Sequence, residues 1–392
     1  MKVFIAGIDG YLGWSLAQHL AARGYEVGGC DNGARRKWVA EVGGQSITPI
    51  DIISDRLAGF RRNCGDIYYN SIDTTVYGAI QLMLDDFRPD AVVYLAEMPS
   101  APFSMIDAEH AGRTQYNNVI GGLNMIWAIK EVCPETHLIH LGTMGEYGTC
   151  NVDIPEGMFE LEFRGRKDWC MFPRKAGSFY HLTKVHGTHN IEFACRNWGL
   201  RSTDIMQGVV FGTRIPEMVD EPWALTRYDV DECFGTFLNR ACASVVIGHP
   251  ITVYGAGHQK RGFLPLKDSM QCLTLAIENP PKEGEYRVFN QFEAVYDLTE
   301  LAKIVQVAAC KLGLDCKVLN YENPRKEAED HYYNPDRVKL LELGYQPTRD
   351  IEGEVLAMLR DLMKYKGRIE QVRDVLIPKV RWDGTKRRSK KL

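Results

Sequence analysis

The opening stretch of the chain constrains its fold more than any other. Lys2 to Ile8 is a short apolar run ending among glycines, Leu12, Leu16 and Leu20 follow at helical spacing, and a second run, Tyr25 to Cys30, ends at Asp31. Strand, helix and strand in so short a span form the unit that builds a parallel sheet. Between the first strand and the helix stands Gly7-Ile8-Asp9-Gly10-Tyr11-Leu12-Gly13, a G-x-x-G-x-x-G loop. Its glycines permit a tight turn and let a pyrophosphate approach the backbone, where the helix N-terminus offers N–H groups and a partial positive charge. Asp31 stands where a carboxylate can accept both ribose hydroxyls of NAD and repel the extra phosphate of NADP. Arg35 and Arg36 nearby keep NADP open, but NAD is the expected cofactor.

The same alternation recurs. Ile67–Ile72, Ala91–Leu95, His137–Leu141 and Ser202–Phe211 read as strands, separated by helical stretches at 77–87, around Val119, Leu123, Ile126 and Lys130, and at 178–197. This predicts an α/β fold: a Rossmann-type, doubly wound parallel sheet with helices on both faces. After Gly212 the pattern loosens around Pro216 and Pro222, so the expected division is a first domain 1–212 and a smaller C-terminal α/β lobe 213–392, with 262–290 returning to the first sheet. Short strands at 251–254, 286–289 and 316–319 and helices at 268–278, 298–312 and 352–365 fill that part, and long loops are expected at 33–64 and 151–175.

Composition narrows the classes of function. Forty-seven Lys and Arg against fifty-one Asp and Glu leave a formal charge of −4, which excludes a globally basic nucleic-acid footprint. The cationic end, Lys386 to Leu392, reads as a solvated tail. No apolar run reaches the ~20 residues of a membrane helix, and the chain starts on a strand instead of a targeting segment, so a cytoplasmic protein without membrane or nucleic-acid partners is expected. Eleven cysteines include no C-x2-C pair and read as reduced core residues; the histidines lack HExxH, and no metal is expected.

Tyr180 and Lys184 form a Tyr-x-x-x-Lys pair, which a helix places on one face. An ammonium beside a phenol favours the phenolate, and lowering a Tyr from about 10 to about 7 corresponds to roughly 4 kcal/mol. Such a Tyr can take a proton from a sugar hydroxyl while hydride leaves the same carbon for NAD. Thr143, just after the preceding strand, can share the substrate oxygen with Tyr180.

With these residues in place, the chain resembles the extended short-chain dehydrogenase/reductases that modify nucleotide sugars, and within them the UDP-sulfoquinovose synthase family. The likeness runs through Thr48-Pro49-Ile50, SAPFSMID (100–107), GTMGEYGT (142–149), FYHLTKVH (179–186), QGVVFGT (207–213), VFNQF (288–292) and NPRKEAEDHYYN (323–334). The resemblance implies NAD, UDP-glucose as substrate and sulfite as sulfur source, with a homodimer formed by the helix 118–130 and the helix of Tyr180. It implies Tyr180 as base at the sugar C4 hydroxyl, Thr143 as its partner and Lys184 on the nicotinamide ribose. Asp31, Asn32 and Arg36 are then expected around the adenosine, Asp73 and Thr74 at the adenine, Arg261 and Arg325 at the pyrophosphate, and Gln207, Val253 and Tyr254 around the uridine. Glu146 is the first candidate for proton transfer at C5 or C6 and His181 the second.

One departure stands out. Where the family has Gln-Arg before SAPFSMID, this chain has Met98-Pro99, which replaces an amide and a cation beside the sugar pocket. A UDP-sugar 4-epimerase or dehydratase that does not use sulfite, and a non-catalytic NAD-binding sensor, are the alternatives that the sequence leaves open.

Overall fold

Seven strands lie side by side, all parallel, in a computed structural model that describes residues 1–325, 332–385 and 387–391. In chain order the first half reads β1 (Lys2–Ala6), α1 (Tyr11–Ala21), β2 (Glu26–Cys30), α2 (Ala34–Glu41), α3 (Ile53–Asn63), β3 (Ile67–Asn70), α4 (Tyr77–Phe87), β4 (Ala91–Tyr94), α5 (Ala108–Gln115), α6 (Gly121–Val132) and β5 (His137–Thr143). A hairpin, β6 (Met158–Phe163) and β7 (Arg166–Met171), precedes α7 (Phe179–Trp198), β8 (Arg201–Gln207) and β9 (Val209–Phe211). The remainder comprises α8 (Phe237–Val246), β10 (Ile251–Tyr254), β11 (Lys260–Pro265), α9 (Leu266–Glu278), β12 (Tyr286–Gln291), β13 (Ala294–Asp297), α10 (Leu298–Lys311), β14 (Val318–Tyr321), α11 (Val338–Glu342), α12 (Ile351–Met363) and α13 (Lys366–Gln371). The sheet runs β12-β8-β5-β4-β1-β2-β3.

The central strands are buried on both faces, and their alternate residues feed two cores. Val3, Ile5, Ala91, Val93 and Ile139 meet Trp14, Leu16 and Leu20 of α1 and Met270 and Leu273 of α9 on one side. Phe4, Ala6, Val92, Tyr94 and Leu138 meet Leu84 of α4, Ile129 of α6 and Ile191 of α7 on the other. This is the doubly wound sheet that the alternation predicts. A third core gathers α8, α10, α12 and α13 around Leu238, Val305, Leu359 and Ile369. The chain passes between these bodies more than once: β11 pairs with both β9 and β13 outside the main sheet, and β12 closes the main sheet against β8.

Three stretches differ from the expectation. Residues 202–211 are two strands, not one, because the chain bends at Gly208, where a Cβ would stand 2.6 Å from the Gly262 carbonyl oxygen. The stretch 33–64 holds α2 and α3, whose apolar pattern is thin: α2 buries only Val39, and α3 keeps Gly59 because the Trp223 ring packs on it. The stretch 151–175 holds the β6–β7 hairpin, turned at Arg164 (φ 52°) and Gly165 (φ 74°) and largely exposed, so no core face betrays it.

Candidate active site

One cavity of about 610 Å³ opens along the C-terminal ends of the parallel strands, where open α/β sheets bind their ligands. Its first end is the glycine loop. Gly7 has φ 87°, and a Cβ there would stand 2.7 Å from the Leu95 carbonyl carbon; a Cβ on Gly13 would stand 2.3 Å from the Gly7 oxygen. Only glycines let α1 begin this close to β1. No side chain caps the N-terminus of α1, and Gly7, Gly10, Tyr11, Leu12 and Gly13 all line the cavity, so the first N–H groups of the helix are left for a ligand.

Asp31, Asn32 and Thr74 line the same end. Asp31 accepts the backbone N–H groups of Asp9 (3.0 Å) and Gly33 (2.8 Å), and burial together with the Asp9 charge pushes its carboxyl up to about 6. Arg36 does not line the cavity. Its guanidinium turns onto Asp9 (2.6 and 3.0 Å), which Arg56 also grips, and Arg35 takes the place on the wall. Asp73 likewise stays outside the lining: it accepts from Asn32 Nδ2 (2.9 Å) and Thr75, and so orients Asn32.

At the centre, Thr143, Tyr180, His181 and Lys184 meet. Ser178 caps α7, its hydroxyl accepting the His181 N–H, so Tyr180 and Lys184 fall in the first turns of a rigid helix. Lys184 Nζ donates to Glu97 and to the Leu141 carbonyl. Burial opposes its charge, but Glu97 outweighs it and holds the ammonium above its ordinary value. Tyr180 differs from expectation: burial raises its phenol, and Lys184 offsets this only in part. Burial and the nearby Arg325 and Arg261 hold His181 neutral, at about 3, with Nδ1 3.0 Å from the Ser178 hydroxyl.

Glu146 is a correction. It is fully buried and does not line the cavity, facing inward instead of toward the sugar pocket. Its carboxylate accepts the Thr143 N–H (3.3 Å) and the Thr188 hydroxyl (3.2 Å) and closes a capping box that fixes Thr143. Burial and Asp204 push it up to about 7. Beneath it His140 donates to Asp204 (2.8 Å) and lies 3.7 Å from Glu97; burial opposes its charge, yet these carboxylates lift it to about 9.

Gln207, the register partner of Thr143 across β5 and β8, lines the cavity, as do Tyr254, Arg261 and Arg325. Gln207 Nε2 is fixed by Ser269 and Gln291, and Arg240 of α8 bonds the Tyr254 hydroxyl (3.2 Å). Val253 is turned away: alternation along β10 sends it into the third core. Residues 326–331 of the NPRKEAEDHYYN run lie outside the described residues. The sequence reading missed Glu97, Arg240 and the wall formed by Pro378, Val380 and Trp382. Glu97 carried a signal, an acid directly after an apolar strand, whereas nothing local marks the other residues.

Residues 3–290 match the model of the NAD dependent epimerase/dehydratase family. The UDP-sulfoquinovose synthase of Sulfolobus acidocaldarius is 47% identical over 384 residues, 97% of this chain and 98% of that one. The chain belongs to the UDP-sulfoquinovose synthase family. The chloroplastic UDP-sulfoquinovose synthase of Spinacia oleracea is 44% identical over 97% of this chain and 79% of its own length. Among solved structures, the UDP-glucuronic acid 4-epimerase of Bacillus cereus in complex with UDP-glucuronic acid and NAD matches with a TM-score of 0.69 at 18% identity, over 93% of this chain and 99% of that one. The UDP-glucose 4-epimerase of Thermotoga maritima with UDP-glucose gives 0.67, also at 18% identity, over 93% and 99%. These structures share the fold. NAD is the cofactor of the family, and the glycine cradle, the uncapped α1 and Asp31 fit it.

Proposed function

We propose that this protein is an enzyme that converts UDP-glucose and sulfite into UDP-sulfoquinovose and water. The observation that carries the reading is the convergence of Thr143, Tyr180 and Lys184 on one cavity, in a chain matched over 97% of its length by relatives of that name. NAD, when bound, would supply a reversible hydride acceptor for C4 and a nicotinamide positive charge. Lys184 holds the nicotinamide ribose and, with that charge, overcomes the burial that keeps Tyr180 protonated. Tyr180 then takes the proton of the C4 hydroxyl, and Thr143, fixed from behind by Glu146, holds the same oxygen.

The C4 ketone acidifies the C5 hydrogen. His181, adjacent to Tyr180 on the cavity wall, takes that proton and gives it to the departing C6 hydroxyl, which leaves as water. A bound pyrophosphate would offset the charge of Arg325 and Arg261, which lowers His181 in addition to its burial. The sulfur lone pair of sulfite would add to C6 of the resulting enone, C5 would take a proton from solvent, and Tyr180 would return its proton to the C4 oxygen as C4 is reduced. The NAD is regenerated and no external reductant is consumed.

The test is incubation with UDP-glucose, with and without sulfite, followed by mass spectrometry. A C6 sulfonate is expected only with sulfite. A UDP-sugar altered without sulfur assigns the epimerase or dehydratase reading instead, which Pro99 on the cavity wall would favour. Absence of both sulfonate and C4 or C5 isotope exchange, in protein holding NAD and UDP-glucose, refutes an enzyme for this substrate. We also propose a homodimer through α6 and α7, which expose Trp127 and Phe193 around the Trp127–Trp198 ring pair (4.6 Å). A monomer in sedimentation at micromolar concentration refutes that contact.

A further inference from the structure

The last part of the chain belongs to the cavity. Val380 is buried in an apolar cluster with Met98, Phe103, Cys233 and Phe234. The backbone N–H groups of Lys379 (2.5 Å) and Val380 (3.0 Å) both donate to Glu232, which Arg387 also grips. Two residues on, Trp382 N–H donates to the Pro324 carbonyl (2.9 Å), and Arg381 pairs with Glu322 (2.9 Å). Beyond the turn, the Arg388 N–H returns to the Lys379 carbonyl and the Glu322 N–H donates to the Lys390 carbonyl, both at 2.8 Å. Residues 387–391 are solvent-exposed, as expected of a cationic tail, but the segment before them is fixed at both ends by carboxylates.

That segment sets Trp382 between the reacting and the phosphate-binding residues. Trp382 lines the cavity, and the Arg325 guanidinium lies 4.9 Å from its ring centroid. Gly177 opens the space between them and the base: a Cβ there would stand 3.7 Å from Trp382 Cζ3 and 4.0 Å from His181 Nδ1. A hexose whose C4 meets Tyr180 and whose diphosphate meets Arg325 must pass this ring.

We propose that Trp382 is a specificity-determining residue whose ring forms one wall of the hexose subsite, held there by the strap 378–382. The claim rests on the UDP-glucose reading above. An aromatic face buries the apolar C–H groups of a pyranose and shuts water out, while its stacking on Arg325 ties sugar recognition to phosphate recognition. Because Val380 shares its cluster with Met98, the apolar residue that replaces the family glutamine also seats the strap.

The test uses full-length protein with its copurified NAD. UDP-glucose and UDP are titrated by calorimetry into wild type, Trp382→Ala and Trp382→Phe, with NAD content as the check on folding. Trp382→Ala is expected to weaken UDP-glucose tenfold or more and UDP by less than threefold; Trp382→Phe stays within threefold of wild type for both. Equal losses for the two ligands, or no loss of UDP-glucose affinity, overturn the proposal. Should Trp382→Ala lose its NAD, Trp382→Phe and Trp382→Leu decide: the ring is dispensable, and the proposal overturned, if Leu binds UDP-glucose as Phe does. A wild type that binds NAD and not UDP-glucose refutes the substrate reading itself, which is a different outcome.

Discussion

His140 should make this protein lose stability as pH rises from neutrality. The imidazole is buried between Asp204 and Glu97, whose charges lift it to about 9. In the unfolded chain it titrates near 6.5. Between these values the folded protein holds one proton that the unfolded chain lacks, so the unfolding free energy falls by about 1.4 kcal/mol per pH unit. The contribution is fully present below pH 6.5 and is lost by the time pH has passed about 9, roughly 3 kcal/mol in all. The raised carboxyls of Asp31 (about 6) and Glu146 (about 7) and the depressed His181 (about 3) act at or below neutrality. Urea unfolding at pH 7.5 and 9 brackets the loss of this proton from His140 and the carboxylates packed around it. Wild type should lose about 2 kcal/mol more over this interval than His140→Gln, in which a neutral amide keeps a donor to Asp204. Unfolded cysteines begin to titrate here in both proteins and cancel in the difference. Equal slopes for the two proteins would refute the charged imidazole.

Three further outcomes follow from the site. Tyr180→Phe should lower kcat at least about 100-fold while UDP-glucose binding by calorimetry changes less than about threefold, because only the proton acceptor is removed. Glu97→Gln strips the carboxylate that holds Lys184 and leaves a buried ammonium poorly partnered, about 3 kcal/mol of disruption; NAD content should fall, and the basic limb of the kcat/KM profile should move to lower pH as Lys184 gives up its proton more easily. Asp31→Ala should weaken NAD about tenfold and narrow its advantage over NADP, measured by fluorescence titration.

The parallel sheet was legible because its strands are continuous apolar runs and its helices carry periodic stripes, signals that reside in neighbouring residues. The glycine loop, Asp31, Thr143, Tyr180 and Lys184 were legible for a related reason: each stands at the end of such an element. Glu146 was misread because its motif says that the residue matters but not which way it faces; its inward turn comes from the capping box with Thr143. Val253 and Arg36 failed in the same way, one sent to a core by strand alternation, the other drawn onto Asp9. Trp382 reaches the cavity only through contacts with Glu232, Glu322 and Pro324, which are distant along the chain, so no local pattern announces it.

The position of β12 has a consequence for how the protein is made. While the ribosome has delivered only the residues up to β9, β8 is the outermost strand, with five of its seven residues destined for burial and one backbone edge unpaired. That edge waits for Tyr286–Gln291, and during the delay it is a template for a neighbouring nascent chain. A fragment ending near residue 212 should therefore aggregate instead of folding as a separate nucleotide-binding unit. Trp382, which lines the cavity, is synthesised later still, after every strand of the main sheet has been delivered.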